Sequence, residues 1–211
     1  MKWLFSPPSL DDFARLLKAW RLWSVGVLIG GLIGAAVYYI TPPPYRARAT
    51  VLVDFNLEQA WPQETDRQQF YYLERETRKL EEIAFSDAVM ESIVERDPRN
   101  TIAELRDGRL SLGQPAEGGW HFHAEDNDPQ RAAELASAWA HAFAGQVSAQ
   151  MASAEGLNSF IEVTVTQAAN LPVERSISLS TYLFIGVIGF LALASIIALF
   201  FDFGQKSTAM Q

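Results

Sequence analysis

The sequence predicts a small α/β domain of the α+β type, built on a small extracytoplasmic sheet and flanked by two transmembrane helices. Two long apolar runs lie near the two ends of the 211-residue chain, and a stretch of ordinary soluble composition lies between them. Within that stretch, apolar residues recur every second residue in some segments and about every 3.6 residues in others, the periods of strands and helices. This alternation predicts a sheet with helices packed on it.

The two apolar runs divide the chain into five segments. The runs, at residues 22–40 and 182–201, are each long enough to cross the roughly 30 Å hydrocarbon core of a bilayer as a helix. Residues 1–21 are then a cytoplasmic N-terminus with an interfacial helix, although its apolar stripe equally allows an extension of the first span. Residues 41–181 form the outer domain, and residues 202–211 form a cytoplasmic tail.

Basic residues next to the runs set the orientation. Four basic residues precede the first run, and Lys206 follows the second; the four are Lys2, Arg15, Lys18 and Arg21. The positive-inside rule therefore places both ends in the cytoplasm and residues 41–181 outside. A cleaved signal peptide is the alternative for the first run, but the run is longer than a usual signal core and three prolines follow it, which favours an uncleaved anchor.

The charge balance excludes several classes of partner. The chain has 17 basic and 25 acidic residues, a net charge of −8. Most of the acidic excess lies in residues 41–181, which argues against nucleic acid and against a domain lying flat on an anionic membrane. The chain has no cysteine, which excludes disulfides, thiolate zinc sites and thiol catalysis.

The outer domain is predicted to contain a strand, helices, two strands, a helix and a final strand. Capping residues mark the helix ends: Ser86 before one helix, a Thr101–Glu104 capping box, and Asp128 with proline at the first helical position. The first and last strands leave and re-enter the same membrane face, so we expect them to be neighbours at the centre of the sheet. The predicted strands are 45–54, 109–112, 120–125 and 160–168, and the main helices are 65–84, 86–97 and 129–150.

Two sets of residues are candidates for packing against other helices or chains. Gly26, Gly30 and Gly34 recur every four residues, which gives the first span a bare face that another helix can approach, either the second span or a neighbouring copy. The apolar stripes of helices 65–84 and 129–150 could pack on a sheet or on another subunit. The candidate subunit-interface residues on them are Phe70, Leu73, Leu80, Trp139 and Phe143.

The sequence predicts no catalytic, cofactor or metal site. His121 and His123 alternate on a strand, but no third ligand follows at a metal-site spacing, so solvent-facing histidines are the favoured interpretation. The carboxylates of Glu125, Asp126 and Asp128 lack the glycine and closing glutamate of a calcium loop, and helix capping explains Asp128. No phosphate-binding loop and no serine elbow occurs. Four aromatic residues could stack on sugars, but packing is favoured for them: Trp61, Tyr71, Tyr72 and Trp120.

The layout and several strings resemble the polysaccharide co-polymerases, the Wzz-type chain-length determinants of bacterial surface glycans. The matching strings are PPPYRARATVLV after the first span, IAFSDAVMESIVE, DNDPQRAAELASAWAHAF after a strand, and FIEVTVTQAANLP before the second span. The resemblance implies a non-catalytic protein of the bacterial inner membrane with a periplasmic domain. It also implies a ring-like homo-oligomer that works with a glycan polymerase or exporter, and through it with the polysaccharide. Such proteins set the chain length of O-antigen, exopolysaccharide or capsule.

The sequence departs from this family in two places. Residues 41–181 have room for the base domain but not for the long helical extension that family members usually carry, which puts length-gauging by that extension in doubt. Only Pro172 stands where the family tends to have several prolines. The tail is expected to be too short for a fused kinase domain. The alternatives are a two-span sensor, or an adaptor of a separately encoded kinase, with a ligand-binding periplasmic domain, and an enzyme acting on glycan near the bilayer.

Overall fold

The computed structural model describes residues 20–56, 66–113, 119–153, 161–170 and 173–208, with side chains for all of these except 66–70 and 199–208. The chain forms two compact units. One contains the two long apolar helices and is called the helical unit. The other, Pro44–Ser176, is called the sheet domain.

Apart from the two-residue strand Glu174–Arg175, which the sequence does not predict, the elements follow the predicted order. They are α1 (Trp20–Ile40), β1 (Tyr45–Asp54), α2 (Asp66–Ala84), α3 (Asp87–Arg96), α4 (Ile102–Glu104), a π-helical turn (Leu105–Arg109), β2 (Leu110–Gly113), β3 (Gly119–Asp126), α5 (Pro129–Ala152), β4 (Glu162–Gln167), β5 (Glu174–Arg175) and α6 (Leu179–Thr208).

The helical unit contains two helices long and apolar enough to cross a membrane, α1 and the Leu179–Ala198 part of α6. Only 17% and 6% of their most apolar windows are buried within the protein. A core helix of a soluble domain would be mostly buried, so this low burial fits helices whose surfaces are covered by lipid or by other membrane helices. Both helices cover the apolar runs from which the two spans were predicted.

The sheet domain contains an antiparallel sheet in which β1 is the organising strand. The strand order is β2-β3-β1-β4, and β5 also pairs with β1. β1 pairs with β3 along one edge; along the other it pairs with β5 at Tyr45 and Arg46 and with β4 from Thr50 to Asp54. The first and last predicted strands are therefore neighbours, as expected. The expectation that both lie at the centre of the sheet is corrected, because β4 lies at an edge.

Helix ends confirm the capping residues that the sequence identifies. The Ser86 hydroxyl accepts from the Val89 N–H, and the Asp128 carboxylate accepts from the Gln130 N–H at 2.8 Å. Thr101 and Glu104 form a reciprocal capping box. Gly108 has φ +95°, a left-handed conformation that other residues adopt rarely, and this turn lets the chain leave the π-helical turn for β2.

The core lies between one face of the sheet and α5. Alternate β1 residues, among them Ala47 and Ala49, are buried, and their small side chains leave room for α5 to lie close over the strand. Trp139 and Phe143 of α5 contact Phe122 of β3, with ring centroids 4.7 and 5.0 Å away. The buried Trp139 indole also donates a hydrogen bond to the Ala84 carbonyl at 2.8 Å, which joins α5 to the end of α2.

This core corrects part of the predicted subunit interface. Leu80, Trp139 and Phe143 have no accessible surface within the single chain. A fully buried side chain cannot contact a neighbouring chain, so these three residues stabilise the domain's own core. Their amphipathic stripes face the sheet and the neighbouring helix of the same chain.

Replacing Trp139 with phenylalanine tests the link between α5 and α2. The change removes the indole N–H and leaves the Ala84 carbonyl without its donor in the core. We expect the free energy of unfolding to fall by about 1–3 kcal/mol. Thermal unfolding of the full chain in detergent, followed by near-UV circular dichroism, measures it. The control is Leu52→Ala on the exposed face of β1, with a loss below about 0.5 kcal/mol. Equal losses for the two variants would contradict this account.

Candidate functional site

The three predicted glycines of α1 lie where α1 and α6 come into backbone contact. A Cβ atom built on Gly30 would lie 2.5 Å from the Gly186 carbonyl oxygen, and one built on Gly34 would overlap the Tyr182 carbonyl. At Gly26 the nearest atom would be the Phe190 carbonyl oxygen at 3.2 Å. The sequence leaves open whether the partner is the second predicted span or another copy; in the structure it is α6 of the same chain.

Gly186 completes this contact from the other side. A Cβ atom on Gly186 would overlap the Gly30 carbonyl. The order of contacts, with Gly26 against Phe190, Gly30 against Gly186 and Gly34 against Tyr182, shows that the helices are antiparallel. Sequence reasoning missed Gly186, although its spacing of four and eight residues from Phe190 and Ala194 places all three on one helix face. Between apolar helices in lipid, close backbone packing of this kind supplies much of the association energy.

The exposed face of the sheet carries the two histidines considered as metal ligands. The His121 Nδ1 atom lies 3.2 Å from the Thr50 hydroxyl, and the His121 and His123 rings are 6.0 Å apart. Burial, followed by the nearby Arg46 guanidinium, lowers the pKa of His123 from 6.5 to about 4, and burial together with Arg48 lowers the pKa of His121. His123 is thus half-buried rather than fully solvent-facing, and both rings are neutral at neutral pH.

The surroundings of His121 and His123 disfavour the binding of a cation. Neutral rings are competent ligands, but Arg46 and Arg48 are close enough to oppose positive charge there. Over the described ranges, no group of three or more histidine and carboxylate side chains lies where it could hold a metal ion.

The carboxylates weighed as acid–base candidates have structural partners. Asp126 is 4% exposed, its Oδ2 atom accepts from Arg109 Nη2 at 2.6 Å, and its Oδ1 atom accepts from the Asp128 N–H at 2.9 Å. Asp128 caps α5, and Glu125 lies 3.8 Å from Arg46. A buried carboxylate with these donors holds the start of α5 against the π-helical turn.

Asp126 belongs to a polar network that sequence reasoning missed. Arg109 also donates to the side-chain oxygen of Asn100, and the Asn100 amide donates to Asp97 at 3.2 Å. Arg131 of α5 lies 3.5 Å from Asp97 and 3.7 Å from Asp126. The network joins the end of α3, the π-helical turn, β3 and α5. No local spacing could have revealed it, because its members come together only in the folded domain.

The charged surface of α2 is still a predicted contact surface for neighbouring subunits. Glu74 and Arg78 form an exposed pair at 3.4 Å, while the buried Glu76 carboxylate accepts from Arg75 and Lys79 at 3.0 and 3.1 Å. Of the predicted interface residues on α2, Leu73 is half-buried, and the side chain of Phe70 lies outside the described residues.

The aromatic residues considered for sugar stacking lie in different places. Tyr72 is 3% exposed, and Trp120 is buried and stacked on Phe143 with ring centroids 5.9 Å apart. Tyr71 is exposed, and Trp61 lies outside the described residues. Packing therefore accounts for two of the four.

Neither a protein-family model nor the sequence of a curated protein matches the chain. The resemblance to the polysaccharide co-polymerases therefore depends on the quoted strings and on the order of elements, and it stays a prediction.

Replacing Gly30 with leucine tests the helix contact, and Gly31→Leu is the matched control. A Cβ atom on Gly31 would meet only Val187, at 3.9 Å, an ordinary contact. We expect Gly30→Leu to cost the helix pair about 1–3 kcal/mol through overpacking. Because the chain lacks cysteine, a Tyr38→Cys/Tyr182→Cys pair can report proximity through a short thiol crosslinker. The crosslink yield should fall with Gly30→Leu and hold with Gly31→Leu; equal yields would disprove the contact.

The lowered pKa of His123 predicts a pH dependence of stability. The unfolded chain binds a proton near pH 6.5, whereas the folded chain does so near pH 4, so protonation favours unfolding between these values. The contribution of His123 is present above about pH 6.5 and is lost as the pH falls toward about 4. Melting temperatures measured across this range should fall less steeply in His123→Gln than in the wild type or in His141→Gln, an exposed control. Parallel curves for all three would refute the prediction.

Proposed function

We propose that the protein is a short, non-catalytic polysaccharide co-polymerase. It modulates the chain length, polymerisation or export of a surface polysaccharide (O-antigen, exopolysaccharide or capsule) by contacting a glycan polymerase or exporter. One observation carries the proposal: β1, the first strand after α1, pairs with both β4 and β5, the last strands before α6. One sheet thus joins the first and last strands of the domain that lies in the sequence between two apolar helices. A domain between two such helices is the layout that the resemblance implies.

The proposed location is the bacterial inner membrane, with the sheet domain in the periplasm and both termini in the cytoplasm. Arg21 in the first turn of α1 and Lys206 after the apolar part of α6 support this orientation through the positive-inside rule. The two membrane-length helices support the membrane itself.

The proposed mode of action is contact rather than chemistry. Asp126 and Asp128, the carboxylates nearest to an acid–base arrangement, are occupied by an ion pair and a helix cap. Among the described residues, surfaces open to partners include the exposed apolar sides of α1 and α6, with Leu28, Leu32 and Ile185, and the charged face of α2. Packing of neighbouring copies or of a polymerase against these surfaces would form the homo-oligomer and its partner complex.

Deleting the gene and sizing the cell's surface polysaccharides by gel electrophoresis tests the proposal. We expect a changed length distribution that wild-type protein restores. Gly31→Leu should also restore it, whereas Gly30→Leu should not, because it separates α1 from α6. Unchanged lengths in the deletion strain would contradict the proposal, and unchanged lengths with altered signalling would support the membrane sensor instead.

A further inference from the structure

Two adjoining hollows lie on the side of the sheet domain formed by α3 and α5. The first, called the arginine cavity, has a volume of about 200 Å³ and is lined by charged residues from both helices and the turn after α3. The second, called the α5 groove, is a shallower hollow of about 630 Å³ that continues from it along α5. Arg96, Glu134 and Ala138 line both, so the two form one continuous surface.

The arginine cavity has a local charge opposite to that of the domain. Arg96, Arg99 and Arg131 line it together with two carboxylates, Asp97 and Glu134, which leaves an excess of positive charge. The chain as a whole carries a net charge of −8. The net negative charge of the chain disfavours bound anions in general, whereas the positive excess in this cavity favours one there.

Two of the three guanidinium groups are held in place by the protein itself. Asp97 accepts from Arg99 Nε at 2.7 Å and Nη2 at 3.3 Å, and Arg131 lies 3.5 Å from the same carboxylate. The Arg99 hydrogen bond lowers the pKa of Asp97, which keeps its carboxylate ionised. Asn100, bonded to both Asp97 and Arg109, ties this turn to the buried network. Arginines ordered in advance lose less conformational freedom when a ligand arrives.

Arg96 is the guanidinium available to a ligand. It is exposed at the end of α3, and its side chain forms no ion pair or hydrogen bond with the described part of the chain. Because it lines both hollows, it can contact a ligand that extends from one into the other. A guanidinium binds a carboxylate through two parallel hydrogen bonds, which favours planar anionic groups.

The α5 groove has the lining of a site for an extended polar chain. Its uncharged polar residues are Gln130, Ser137 and Asn170, and the rest of its lining is three alanines with Arg96, Glu134 and His141. Amide and hydroxyl groups of this kind can exchange hydrogen bonds with the hydroxyls of a sugar. The arginine cavity alone is smaller than most small-molecule sites, which are about 300–1,000 Å³, and the α5 groove extends it along the surface.

We propose that this surface binds an acidic polysaccharide, with a carboxylate of one sugar beside Arg96 in the arginine cavity and neighbouring sugars along the α5 groove. The inference rests on the proposed function and names a polymer that the protein contacts directly.

Binding of an oligogalacturonate to the full chain in nanodiscs of zwitterionic lipid tests the site. At low salt we expect Arg96→Gln to weaken binding about tenfold, as for loss of a charge-assisted hydrogen bond. Glu134→Gln should strengthen binding about two- to fivefold, because it removes from the cavity lining a negative charge that repels the carboxylate of the ligand. Arg48→Gln on the exposed face of β1, with the same change of charge, is the control and should leave binding unchanged. A neutral dextran fragment of equal length should bind at least about tenfold more weakly.

Several results would overturn the site. These are the absence of oligogalacturonate binding, equal losses in Arg96→Gln and Arg48→Gln, or weaker binding in Glu134→Gln. Binding of polyphosphate, but not of oligogalacturonate, in an Arg96-dependent manner would overturn the glycan assignment. Misfolding cannot imitate the expected pattern, because one variant must gain affinity while another loses it.

The site and the proposed function can fail separately. If deletion of the gene changes glycan length but oligogalacturonate does not bind, the site is wrong and the function stands. If oligogalacturonate binds with the expected variant pattern but deletion leaves lengths unchanged, the co-polymerase function is wrong and the acidic-glycan site stands.

Discussion

The hydrogen-bonded pairing of β1 with β4 and β5, the last two strands of the sheet domain, is the constraint on which the rest of that domain depends. β1 pairs with β3 on one side and with β4 and β5 on the other, so it is bonded along both edges. Its buried face carries small residues at Ala47 and Ala49, which set how closely α5 can approach. The aromatic core, the start of α5 and the polar network all take their positions from a sheet arranged around this strand.

A network of polar side chains also fixes how the elements of the sheet domain are placed. Asp126 at the end of β3 holds Arg109, and through Asn100 and Asp97 the same network holds the turn after α3. Burying charges costs desolvation energy, so such a network survives where its members satisfy one another, and it then fixes the relative placement of the elements it joins. In this domain it orients Arg99 and Arg131 beside the exposed Arg96.

Local patterns in the sequence predicted local structure and little beyond it. Alternation in β1 and the caps at Ser86 and Asp128 were readable because their causes lie within a few residues. β5 was missed because two residues carry no period. An amphipathic stripe shows that one helix face is buried but not what covers it, so Trp139 was assigned to a subunit interface and lies in the core. In the same way, the glycine spacing in α1 does not identify the residue that packs against Gly30, which in the structure is Gly186.

The ends of the sheet domain have a mechanical consequence. Pro44 and Ser176, where the chain enters and leaves the domain, are joined by a hydrogen bond from the Ser176 N–H to the Pro44 carbonyl at 2.8 Å, and the Tyr45–Arg175 pair follows directly. A force that pulls these two ends apart acts across the strands, so the bonds between β1 and β5 open one after another instead of sharing the load. Tension applied to the two ends of the domain would therefore separate β5 from β1 first and leave the longer β1–β3 ladder intact.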